Sequence, residues 1–87
     1  MSVPRIGFMP GNYDDEADGV LVGSVTKDGP GDKGGLKDND RIIAVAGEPV
    51  KNLTMYMQVM GKRKRNEPVE ITIERKGEKV KLTVTPQ

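Results

Sequence analysis

Gly35-Leu36-Lys37-Asp38-Asn39-Asp40-Arg41-Ile42-Ile43-Ala44-Val45-Ala46-Gly47 is the stretch whose reading decides the fold. Its first half is turn chemistry, with a glycine, two aspartates and an asparagine in six positions. Its second half, Arg41 to Val45, is rich in β-branched residues and reads as a strand with a turn behind it at Ala46-Gly47-Glu48-Pro49. Leu36 and Ile42 are the apolar anchors on either side of the polar turn. Asn39 stands in this turn, and asparagine tolerates a left-handed backbone better than other non-glycine residues.

Upstream, Lys27 to Leu36 holds Gly29, Pro30, Gly31, Gly34 and Gly35. Any helix there is short, since each interior glycine costs about 1 kcal/mol relative to alanine. Val20-Leu21-Val22 with Val25 reads as a strand with a largely buried face. Before it, Ile6 to Met9 is a short apolar run that stops at Pro10-Gly11-Asn12. Turn chemistry then runs through Asp14, Asp15, Glu16 and Asp18 to Gly19.

Downstream, Asn52 is placed to cap a helix from Leu53 to about Gly61. Leu53, Tyr56 and Met60 follow helical spacing and form one apolar stripe, whereas Met55 and Val59 face another direction. The chain ends in a hairpin. Val69, Ile71 and Ile73 alternate with Glu70, Thr72 and Glu74; Lys76-Gly77-Glu78 turns; Val80, Leu82 and Val84 alternate back. The order strand, strand, short helix, strand, helix, hairpin is an α+β domain with an antiparallel sheet covered by helices.

Composition narrows the function. Eighty-seven residues make one domain. With no cysteine and no histidine, disulfides, thiolate or imidazole metal sites and the Ser-His-Asp triad are excluded. Ser2 and Ser24 have no base to activate them. Fourteen basic against thirteen acidic residues leave a net charge of +1, and three aromatics are too few for a base-stacking platform. No apolar run reaches the roughly 20 residues of a membrane span. The acidic residues between Asp14 and Asp18 do not match an EF-hand and read as a solvated loop. Lys62-Arg63-Lys64-Arg65 reads as a solvated helix terminus, where cations suit the dipole. A binding module with no catalytic residues and no cofactor remains.

Three segments in order resemble the PDZ domain of bacterial type. Arg5-Ile6-Gly7-Phe8 resembles that family's Gly-Leu-Gly-Phe carboxylate loop. Gly35 to Gly47 resembles its A-G-L-x-x-G-D-x-I-x-x-V-x-G run, with Asn39 where the family has glycine and Pro30 to Gly35 replacing an alanine-rich short helix. The final helix and hairpin, through Leu82-Thr83-Val84-Thr85-Pro86, complete the match. Such modules occur in HtrA-type serine proteases, bacterial zinc aminopeptidases and carboxy-terminal processing proteases. The resemblance implies residues 5–85 as a single domain, with residues 1–4 as linker and 86–87 as tail. It implies five to six antiparallel strands in a partly open barrel or sandwich, capped by one short and one longer helix.

For function, the resemblance implies capture of extended or C-terminal peptides by strand addition, beside a parent protease domain, without nucleic acid and without membrane insertion. A place in the periplasm or envelope would follow only from an exported parent. The implied peptide-binding set is Arg5, Ile6, Gly7, Phe8, Met9, Pro10, Met55, Val59 and Lys62. The amides of Ile6, Gly7 and Phe8 would converge on a carboxylate, with Arg5 adding charge at the rim. Ile6 and Phe8 would either wall a pocket for the last peptide residue or be ordinary core residues of a first strand. Met55 occupies the position where one class of the family carries a histidine, which favours an apolar residue two before the peptide's end. Two further functions compete: a structural docking domain that takes no free peptide, and an RNA-binding domain using the basic run.

Overall fold

A computed structural model describes residues 6–11 and 19–87. The elements in chain order are β1 (Phe8–Pro10), β2 (Val20–Val25), α1 (Pro30–Gly34), β3 (Arg41–Val45), β4 (Glu48–Pro49), α2 (Leu53–Met60), β5 (Val69–Arg75) and β6 (Glu78–Val84). The six strands form one antiparallel sheet in the order β1-β2-β3-β5-β6, with β4 paired to the far end of β3. The expected α+β architecture, five to six strands capped by a short and a longer helix, is the one observed.

The hairpin follows its alternation. Val69, Ile71 and Ile73 are buried while Glu70 and Glu74 are exposed, and the pairing runs from Val69↔Val84 to Arg75↔Glu78. Lys76 and Gly77 both take positive φ (53° and 81°), the two-residue turn whose twist matches the flanking strands. The same turn recurs at Ala46 and Gly47 (53° and 80°). It sends Glu48 and Pro49 back along β3, so the expected turn at 46–49 is a tight turn plus the short strand β4.

Asn39 has a φ of 71°, as the reading of the deciding stretch required, and Leu36 and Ile42 beside it are 2% and 0% exposed. The Asn52 side chain accepts a hydrogen bond from the Met55 amide at 2.8 Å and starts α2. The core joins both faces of this arrangement: Ile6, Val20, Val22, Leu36, Ile42, Val45 and Val50 meet Tyr56, Val59, Met60, Val69, Ile71, Ile73 and Val84. Each fully buried Val or Ile contributes about 1.5–3 kcal/mol. Pro86, in the expected tail, is also fully buried, and its carbonyl accepts from the Asn66 amide.

The glycine-rich segment does form a helix, one turn long, and two of its glycines have a packing reason. A Cβ at Gly31 would stand 2.8 Å from the Ile6 carbonyl oxygen, and one at Gly34 would stand 2.8 Å from that of Thr83. Helix propensity is given up so that the backbone of α1 can touch both the opening segment and β6.

Candidate functional site

The opening segment is positioned by α1 and β2. The Gly31 amide donates to the Ile6 carbonyl, and the Thr26 amide donates to that of Gly7 at 2.9 Å. Between these anchors Gly7 takes a φ of 81°, in the region where a side chain is strained. The chain therefore bends at Gly7 and enters β1.

β1 is an end strand, so one of its sides faces no other strand of the sheet. The Thr26–Gly7 bond and the bond from the Gly11 amide to the Leu21 carbonyl show which residues turn their backbone toward β2. Because antiparallel pairs alternate, Phe8 and Pro10 turn theirs to the open side. An irregularity between Met9 and Pro10, where Ser24 and then Val22 are the partners, leaves Gly23 as the extra residue.

α2 passes alongside this edge. The rings of Phe8 and Tyr56 meet edge to face, with centroids 5.5 Å apart and planes at 77°. Burial pushes the Tyr56 phenol above its ordinary value, so it stays neutral. The Gly19 amide bonds to the Lys51 carbonyl, which sets the start of α2 beside the start of β2, across from the end of β1. The start of α2 therefore lies toward the Gly11 end of β1, and Tyr56 in its first half meets Phe8.

The expected site residues divide. Gly7, Phe8 and Pro10 come together along the edge, Phe8 half-buried against the core. Met55 is half-buried on the flank of α2. Met9 is 66% exposed, and Lys62 is exposed with its amide on the Val59 carbonyl. Two of the expected site residues, Ile6 and Val59, lie in the core cluster. Ile6, for which a pocket wall and an ordinary core position were both open, is 1% exposed and lies in the core cluster, with its carbonyl bonded to α1. Val59, expected to face a groove with Met55, is 7% exposed in the core cluster. At about 100° per residue Val59 lies only about 60° around the helix from buried Tyr56, whereas Met55 lies about 100° from it. Arg5 and the acidic residues from Asp14 to Asp18 lie outside the described residues.

Three contributors escaped the sequence reading. Gly31 was counted only as a helix breaker, Tyr56 only as core, and the Asp40–Arg75 pair had no sequence signal. The Asp40 carboxylate is 1% exposed. It accepts from Arg75 at 2.7 and 2.8 Å and from the Lys37 amide at 2.8 Å, while Arg75 also donates to the Gly35 carbonyl at 2.9 Å. Burial pushes the Asp40 carboxyl up, but these bonds and the nearby positive charges outweigh it and hold it below the usual carboxylate value. The pair ties the end of α1 to β5. Among the described residues no cluster of three acidic side chains could hold a metal.

Comparison with known proteins adds to this geometry. The family model for the PDZ domain matches residues 4–85. A probable periplasmic serine endoprotease, DegP-like, from Ectopseudomonas mendocina is 38% identical over 71 residues, 82% of this chain and 15% of that protein. The chain thus spans about 15% of the length of that curated relative. Among solved structures, the HtrA-type protease AlgW with a decapeptide superposes with a TM-score of 0.85 at 22% identity, over 97% of this chain and 29% of that one. The HtrA3 PDZ domain bound to the phage-derived ligand FGRWV superposes with a TM-score of 0.80 at 19% identity, over 97% of this chain and 85% of that one. The chain belongs to the PDZ domain family, a non-catalytic module class.

Proposed function

We propose that the domain captures extended peptides, with their terminal carboxylate at the Arg5–Phe8 loop, by adding them to the open edge of β1 beside α2. The observation that carries this is the orientation of β1: an end strand that turns the backbone of Phe8 to its free side, next to a bend at Gly7 that only glycine adopts easily. A carboxylate there would need converging amide donors, since burying it without partners is costly. Phe8 and Met55, both half-buried, with buried Tyr56 packed edge to face against Phe8, make the neighbouring surface apolar, which suits an apolar last residue and an apolar residue two before it. Lys62, just past the end of α2, would add positive charge to the site.

The relatives are proteases, and the HtrA-type structures named above carry peptides. Both support a regulatory or targeting module within a larger bacterial protease. Pro10, which removes an edge donor and blunts strand pairing, fits a second reading equally well, a docking domain packed on its parent. Titrating a library of C-terminal peptides separates the two. Saturable binding that is lost when the terminus is amidated supports peptide capture, and no binding by any peptide supports docking.

A further inference from the structure

The helix α1 has little stability of its own. It is five residues long, two of them glycines, against the roughly 12 residues an isolated helix needs. Burial of Leu36 and the approach of Gly34 to β6 hold the segment against the core, but apolar packing has no direction. Hydrogen bonds that leave its two ends give it an orientation.

At the first end the Gly31 amide donates to the Ile6 carbonyl. A Cβ built on Gly7 would stand 3.6 Å from Pro30 Cδ and 3.7 Å from Gly29 Cα, so the start of α1 lies directly against the bend. At the other end the Gly35 carbonyl is among those that a helix leaves without a donor of its own. Arg75 supplies that donor. Its Nη2 donates to the Gly35 carbonyl at 2.9 Å and to the Asp40 carboxylate at 2.7 Å, and Asp40 accepts in turn from the Lys37 amide at 2.8 Å. The Gly35–Leu36 peptide unit thus accepts from Arg75 through its carbonyl and donates through the Leu36 amide to the Gly31 carbonyl at 2.8 Å. Bonds in such a chain polarise and strengthen one another. Arg75 itself lies on β5, with β2 and β3 between it and β1, so it is remote from a peptide added to that edge.

We propose that Arg75 is a positioning residue for the carboxylate loop: by holding the Gly35–Leu36 unit it fixes α1, and through Gly31 it fixes the Ile6 carbonyl and the bend at Gly7. This role rests on peptide capture at that loop. Amide donors already aimed at one place bind a carboxylate without an ordering cost, and a loosened α1 brings that cost back. The link is reciprocal, so a carboxylate that orders the loop is felt at Arg75.

The test is calorimetry with a hexapeptide ending in Leu-Ser-Leu, as free acid and as terminal amide, on the wild type and Arg75→Lys. Lysine keeps a positive charge beside Asp40 but lacks the fork that reaches both Asp40 and Gly35. Arg75→Lys should bind the free acid about five-fold more weakly, at the low end of coupling between separate sites, and the amide as the wild type does. A folded Arg75→Lys with wild-type affinity for the free acid, or one weakened equally toward both forms, would overturn the role and leave capture standing. A wild type that binds both forms equally, or neither, would overturn capture and the role with it. Should Arg75→Lys fail to fold, the wild-type Arg75 Nε–H resonance decides. A saturable shift with the free acid and none with the amide supports the role, and a resonance that the bound free acid leaves in place overturns it.

Discussion

Asp40 and Arg75, 35 positions apart, meet through two hydrogen bonds of 2.8 and 2.7 Å, and the aspartate is almost wholly buried while the arginine is not. Removing one member of such a pair leaves the other uncompensated. Arg75→Leu should therefore destabilise the domain by about 3 kcal/mol, read by urea denaturation. The pH dependence has a definite sign. A carboxyl held below its unfolded value contributes stability that is present above that value, about 4, and is lost as pH falls through the lower folded value. Wild-type stability should fall with acid below about pH 4 more steeply than that of Asp40→Asn. Parallel curves for the two proteins would contradict this role for Asp40.

Asn39 is held at a φ of 71° by its neighbours, since its own amide bonds to the Val22 carbonyl at 2.8 Å. Asn39→Gly should be neutral or slightly stabilising, and Asn39→Val should cost more than about 1 kcal/mol. A valine variant with an unchanged melting temperature would sink the assignment.

Pro10 turns its backbone to the open side of β1 and has no amide hydrogen to offer there. One rung of the ladder to a bound peptide is missing, worth about 0.5–1.5 kcal/mol. Binding should then be weak and dominated by the terminal carboxylate and last side chain. Calorimetry with one peptide should show tighter binding by Pro10→Val at unchanged stability. Equal or weaker binding would mean that peptides do not pair along this edge.

Gly7 bends the loop through its backbone and leaves room for a side chain: a Cβ there would meet Thr26 Cβ at an ordinary 3.4 Å. Gly7→Val should thus act through φ, abolishing carboxylate capture while circular dichroism still reports a folded domain. Retained affinity in the folded variant would point to another binding surface.

Much of this fold is written in local patterns. Val69 to Val84 alternates with period two, Asn52 sits one residue before an apolar helix, and Asn39 stands in a turn, so each element declares itself within a few residues. β4 does not, because alanine gives no sign that Ala46 will take a positive φ. The site is less legible for a physical reason. A pocket wall and a core both demand apolar residues, so Ile6 fits either, and only its burial in the folded chain places it in the core cluster. Val59 carries the same ambiguity, being one helical turn from Met55 yet rotated toward Tyr56. Asp40 and Arg75 are each ordinary surface types in sequence, and their partnership exists only once β5 lies beside β3.

The most direct test of peptide capture is a ¹⁵N–¹H titration of the domain with one apolar C-terminal peptide, run in parallel as free acid and as terminal amide. The free acid should shift the amides of Gly7 and Phe8 saturably, together with Met55 and Tyr56 on α2, and the amide form should leave them in place. Equal shifts from both forms, or shifts confined to β6 and α1, would contradict carboxylate capture at the edge of β1.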